Sequence, residues 1–279
     1  MPVRLFRWTL VSLGLLSVAL CAPAEGKSHP KNPVINVAAP SHQPVTGVGA
    51  VATATAVCPA GTRLVGGGWL AGDSIVFESR KVGVNAWRVS AQNRTDKPSG
   101  AVTYAFCRKG APKTTVVSKT AFAASSGAGP SVVPRCPHAR KAVAGGFSTP
   151  PPVEPGLIDN VVTDSLRVGA NRWRTQALSG KVGAAVTGYA YCAKQKKAPP
   201  ARTASSPGVT GDQAPQTAVS PSCGKQTALM GGFSQVGATG FSVVFPVYTV
   251  SKRNHKRWHV SATDVGGGPL TVSATAYCG

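Results

Sequence analysis

Cys58-Pro59-Ala60-Gly61-Thr62-Arg63-Leu64-Val65-Gly66-Gly67-Gly68-Trp69 opens a pattern that the chain writes three times. It returns as Cys136-Pro137 followed by Ala142-Val143-Ala144-Gly145-Gly146-Phe147. The third copy is Cys223-Gly224 followed by Leu229-Met230-Gly231-Gly232-Phe233. Each copy continues to a tryptophan with basic neighbours: Trp87-Arg88, Arg172-Trp173-Arg174 and Arg257-Trp258-His259. Each then closes on an aromatic-cysteine end, Tyr104-Ala105-Phe106-Cys107, Tyr189-Ala190-Tyr191-Cys192 and Ala276-Tyr277-Cys278. From the opening Cys to the aromatic after the glycines the offsets are 11, 11 and 10 residues. From the Trp to the closing Cys they are 20, 19 and 20, and only the middle stretch varies, at 18, 26 and 25. Agreement in both letters and spacing is the mark of a repeated structural unit.

The units read as β-structure. Trp87, Val89 and Ala91 alternate with Arg88, Ser90 and Gln92, and Trp258, Val260 and Ala262 alternate with His259, Ser261 and Thr263. Period two with one apolar and one polar face describes a half-buried antiparallel strand. Residues 50–57, 74–78, 101–106, 114–118 and 241–245 are further strand candidates. That makes five or six strands per unit with Gly/Pro turns between them. From residue 25 onward there are 33 Val against 7 Leu and 3 Ile, a balance that favours strands over helices. The expected fold class is therefore all-β, with three pseudo-equivalent antiparallel units. Two architectures fit: a threefold β-prism with one sheet per unit around a shared core, or three small β-sandwiches in tandem. The shared core is favoured, because a unit of about 80 residues with few aromatics buries little apolar surface alone.

Residues 1–24 read as an export signal: Arg4 and Arg7, an uncharged apolar run from Trp8 to Leu20, and a small-x-small site at Ala22-Pro23-Ala24. Cys21 would leave with that segment; lipid attachment there is the alternative, disfavoured by Leu20 before it. Residues 25–34 form a basic tail, and the repeats occupy 35–110, 111–197 and 198–279. Six cysteines remain in an exported chain. The repeat grammar expects one bridge per unit: Cys58–Cys107, Cys136–Cys192 and Cys223–Cys278.

The order Cys-Pro-x-Gly, Gly-Gly-Gly, central Trp, closing aromatic-Cys over residues 58–278 resembles tandem repeats in exported proteins of high-GC Gram-positive bacteria. The second unit lacks the Gly of the opening turn and the third lacks its Pro. The threefold β layout is similar, in architecture alone, to that of vitelline membrane outer layer proteins. The first resemblance implies an exported, all-β protein and supplies no catalytic residues.

Enzymatic and metal readings find little support. Gly66-Gly67-Gly68 runs into Trp69-Leu70, not into the Lys-Ser/Thr and helix of a phosphate loop, so tight packing is the expected reason for the glycines. Asp73/Glu78 and Asp159/Asp164 sit in corresponding middle stretches, but the third unit has neither, so a repeated carboxylate-pair active site is not expected. His255 and His259 have zinc-pair spacing only on a helix; in a strand they stand roughly 13 Å apart, among cations. Asn93-Arg94-Thr95 matches a glycosylation sequon, which matters only in a eukaryotic secretory route. No cofactor or metal is expected.

Charge is the strongest functional signal. The chain has 30 Lys and Arg against 9 Asp and Glu, a net +21, which falls to about +19 without the export segment. Alternation turns the repeat tryptophans inward and their basic neighbours outward, so the candidate anion-binding residues are Arg88, Arg172, Arg174, Arg257 and Lys256. Arg108, Lys109, Lys194, Lys196 and Lys197 add charge after the closing cysteines. The expected function is non-enzymatic binding of anionic extracellular partners at the cell envelope: wall polymers, acidic glycans, extracellular DNA or membrane surfaces. The alternative is a carbohydrate-binding module with one pocket per unit, and an enzyme with an unrecognised site is the third reading.

Overall fold

A computed structural model describes residues 33–41, 44–127, 129–151, 160–207, 215–236, 246–264 and 270–279. The export segment, Cys21, His29, His42, Asp159 and the candidate strand 241–245 lie outside them.

The described residues form eighteen strands and no helix, six strands for each repeat. The first unit holds β1 (Val34–Pro40), β2 (Val51–Val57), β3 (Arg63–Ala71), β4 (Ser74–Val82), β5 (Ala86–Asn93) and β6 (Ala101–Arg108). The second holds β7 (Thr114–Phe122), β8 (Ser131–Val132), β9 (Arg140–Ser148), β10 (Asn160–Val168), β11 (Arg172–Ser179) and β12 (Ala185–Lys194). The third holds β13 (Ala201–Ser205), β14 (Gln216–Val219), β15 (Ala228–Val236), β16 (Pro246–Asn254), β17 (Arg257–Asp264) and β18 (Thr271–Cys278).

These strands make three six-stranded antiparallel sheets: β1-β6-β3-β16-β17-β14, β2-β5-β4-β9-β12-β7 and β13-β18-β15-β10-β11-β8. The core is shared, but the sheets are not one per unit. Every unit splits three strands into each of two sheets, and every sheet joins half of one unit to half of another. The seams are short: Leu70 and Trp69 on β3 face Val250 and Ser251 on β16. Glu78 and Ser79 on β4 face Ser148 and Phe147 on β9, and Asp164 and Ser165 on β10 face Ser234 and Phe233 on β15. β1 begins at Val34, so the chain is already paired where a loose tail is expected to end.

The aromatic that follows the glycines in each repeat meets its two counterparts at the centre. Trp69, Phe147 and Phe233 contact one another edge to face, with centroids 5.5–6.0 Å apart. Three buried aromatics from three sheets in one cluster tie the units into a single core. Outside it, Trp87, Trp173 and Trp258 are almost wholly buried. Each donates its indole N–H to a serine hydroxyl, Ser79, Ser165 or Ser251, at 3.0–3.1 Å.

This packing explains the glycines. A Cβ on Gly67, Gly145 or Gly231 would lie 1.9–2.2 Å from the indole of Trp87, Trp173 or Trp258. A Cβ on Gly68, Gly146 or Gly232 would lie 2.3–2.7 Å from the carbonyl oxygen of Ser251, Ser79 or Ser165, across the seam. The first glycine seats the tryptophan, and the second lets neighbouring units approach.

The disulfides are Cys58–Cys107, Cys136–Cys192 and Cys223–Cys278. In each, one cysteine follows a strand of one sheet and its partner ends or nearly ends a strand of another, so each bridge staples two sheets at one end of the molecule. Three such bridges fit an oxidising environment. Among the described residues no helix is long and apolar enough to cross a membrane.

Candidate anion-binding surface

Antiparallel pairing brings the hairpin tips at residues 83–85, 169–171 and 255–256 to the disulfide end, beside the ends of β6, β12 and β18 and the starts of β1, β7 and β13. Arg63 pairs with Arg108, Arg140 with Lys194 and Lys141 with Ala193, and Arg135 bridges to Arg172. Lys109, Lys113, Arg135, Arg172, Lys194, Lys196, Lys197, Arg202, Lys225, Lys256 and Arg257 are exposed there. No Asp or Glu among the described residues lies at this end. Asp73, Asp96 and Asp264 lie toward the opposite end, and Glu78 and Asp164 lie midway along their strands. The sequence conceals this segregation, because cations and acids are interleaved along the chain and separate only when strands reverse direction.

The five anion-binding candidates therefore divide. Arg172, Lys256 and Arg257 are exposed at the cationic end. Arg88 and Arg174 stand on the flat outer faces and are already paired. Glu78 accepts from Arg88 Nη2 and Nε at 2.7 and 2.9 Å, from Arg80 Nε at 2.6 Å and from the Ser90 hydroxyl at 2.8 Å. Asp164 Oδ2 accepts from Arg174 Nη2 at 2.9 Å, and its Oδ1 accepts from the Gln235 N–H at 3.2 Å. Burial raises the Glu78 pKa, but Arg88, Ser90 and Arg80 outweigh it and leave the carboxyl below 4.5. Asp164 has one arginine and deeper burial, and burial wins: its pKa is raised above 3.8.

Three further cations were not singled out by sequence reading. Lys81, Arg167 and Arg253 recur 6, 6 and 5 residues before the repeat tryptophan, a spacing that could have flagged them. Each grips chain near the first strand of another unit. Lys81 Nζ donates to Thr114 Oγ1 at 3.0 Å, Arg167 donates to the Pro199 carbonyl, and Arg253 donates to Asn36 Oδ1 and the Val34 carbonyl. Arg167 and Arg253 lie over the rings of Tyr277 and Phe106 at 4.5 and 5.2 Å. Burial lowers all three pKa values, that of Arg253 to about 10. These cations hold corners together.

Other candidates resolve simply. The repeat tryptophans offer no stacking platform, because they are core. Asn93 is buried and its amide donates to the carbonyls of Val45 and Lys97, so the sequon is closed to a glycan. Among the described residues no group of three His, Cys, Asp or Glu is placed to hold a metal ion. The chain matches no protein-family model, and no curated protein matches it.

Proposed function

We propose that this is a secreted, non-enzymatic protein of the cell envelope that binds anionic polymers or surfaces through its disulfide end. The observation that carries this reading is the segregation of charge: a cationic end where no described Asp or Glu lies, on a chain of net +21. Concentrated positive potential attracts polyanions by releasing their counterions and needs no sequence-specific contact. The buried repeat tryptophans weigh against a neutral-sugar module that would stack its ligand on them. The likeness to exported Gram-positive repeat proteins agrees with an envelope setting. The direct test is capture of the chain lacking residues 1–24 on wall polymer, acidic glycan and DNA at two salt concentrations. Binding should weaken steeply with salt. Replacing Lys194, Lys196 and Lys197 with Gln should make the salt slope shallower by about 2–3. Salt-insensitive binding, or no binding to any of the three, would overturn the reading.

A further inference from the structure

The three outer faces are built alike but charged differently. Glu78, Asp164 and Val250 occupy one equivalent position, each immediately after a register shift in its strand pair. Their basic neighbours, Arg88, Arg174 and His259, each follow the repeat tryptophan by one residue. On two faces a carboxylate holds an arginine. On the third, the face of the sheet shared by the first and third units, valine replaces the carboxylate and histidine replaces the arginine.

Among the described residues, that replacement leaves the cations of this face without an acid beside them. Lys252 and His259 are directly opposed on β16 and β17, so their side chains emerge as cross-strand neighbours. Arg257 stands two residues from His259 and is exposed, while Lys252 and His259 are half-buried. The Lys252 ammonium lies 5.3 Å from the ring centre of Tyr104 on β6. We propose that Lys252, His259 and Arg257 form a binding site for the phosphate groups of a polyol-phosphate polymer, and that protonation of His259 sets its affinity. This rests on the polyanion reading above and adds to it a site, a ligand class and a control.

The donor chemistry suits phosphate. The planar arginine forks on the other two faces engage planar carboxylates. Lysine and histidine donate as point charges and Arg257 as a planar fork, and the oxygens of a tetrahedral phosphate accept both. A polyol-phosphate chain supplies such groups and has no bases to stack, and none of the described tryptophans is exposed.

Among the described residues, the charged groups around His259 are all basic. Lys252 faces it from β16 and Arg257 from its own strand, with His255 and Lys256 at the hairpin tip. Arg253 is turned to β1 and Phe106. β14 on the other side presents Val219 and Thr217, which do not titrate. Of the strands packed behind, β15 carries no titratable side chain, and β18 carries Tyr277, whose hydroxyl accepts from the Arg167 N–H on β10 of its own sheet. Partial burial, then Lys252 and Arg257, holds the imidazole below its ordinary 6.5. It is therefore neutral at pH 7 and gains its charge as the medium acidifies, when a bound phosphate would offset the crowding.

The test uses lipid-free poly(glycerol phosphate), with duplex DNA as a second probe, at constant ionic strength and pH 5.5 and 7.5. The wild type should bind poly(glycerol phosphate) about tenfold more tightly at the lower pH. His259→Gln should flatten that response. Val250→Glu with His259→Arg installs the pair that the other two faces carry, so the fold has precedent for it. It should weaken binding at pH 5.5 about tenfold and remove the pH response. Wild-type binding that both variants reproduce with an unchanged pH response would overturn this site and leave the wider reading intact. Binding to DNA but not to poly(glycerol phosphate) would overturn the ligand class. Binding to neither probe would overturn the site and, if wall polymer and acidic glycan also fail, the function it rests on.

Discussion

Gly145 and Gly183 are both glycines for different reasons, and substitution separates them. Gly145 has no room: an added Cβ would meet the Trp173 indole at 2.1 Å, inside the core. Gly183 has nothing within 4 Å but sits at φ +77° in a turn. We expect Gly145→Ala to lose about 3 kcal/mol or more, since overpacking displaces a buried ring. Gly183→Ala should lose about 1–2 kcal/mol through backbone strain. Urea unfolding of the two variants checks both values, and equal losses would contradict the packing account. The strand around Trp173 gives a second contrast. Trp173→Ala should lose about 3–5 kcal/mol. Arg172 is exposed, and its loss should leave the melting temperature nearly unchanged. Arg174 looks equivalent in sequence, yet its removal strands Asp164, so Arg174→Ala should lower stability by about 1–2 kcal/mol after allowance for water around the guanidinium. Thermal melts of the two arginine variants should therefore differ.

Between elements, the two carboxylate clusters should answer pH in opposite directions. Glu78 has a lowered pKa in the fold, so its ion pairs stabilise above pH 4.5, and that stability is lost as the pH falls through the lowered folded value. Glu78→Gln should lose about 1–2 kcal/mol at pH 7, with the gap to the wild type closing in acid. Asp164 has a raised pKa, so its ionised form costs stability above its folded value, and the cost fades as the pH falls. Denaturation midpoints of Glu78→Gln and Asp164→Asn measured from pH 3 to pH 7 test the contrast. Parallel profiles would contradict it. These pairs also mark where sequence reading stops. The repeats, the three bridges and the inward tryptophans were legible because each depends on local spacing. Glu78 and Arg88 are ten residues apart and meet only because a register shift in β4 turns the carboxylate to the outer face. Sheet membership was equally hidden. A strand's alternation records which side is buried but not which unit lies beside it, so Gly68 and Gly146 revealed their role only across the seams.

For the whole molecule, the central cluster of Trp69, Phe147 and Phe233 decides how the chain unfolds. Three independent sandwiches would melt as separate units. A shared core joined by strand exchange should give one transition, with calorimetric and van't Hoff enthalpies equal. Resolved transitions in scanning calorimetry would count against the shared core. The exchange of half-sheets also orders assembly in time. The strands that complete the first unit's outer sheet, β16, β17 and β14, are supplied by the third unit. A chain emerging N-terminus first must carry β3 with one hydrogen-bonding edge bare until nearly all of it has been made. An unpaired edge is a template for whatever strand arrives first. A chain ending at residue 197 would leave β3 and β10 bare together. It should self-associate head to tail, each copy's β10 taking the place of the missing strands against the next copy's β3. Sedimentation would register this as a ladder of oligomers. The full chain escapes that fate by closing on itself, its last-made strands acting as the clasp of a ring that its first-made strands left open.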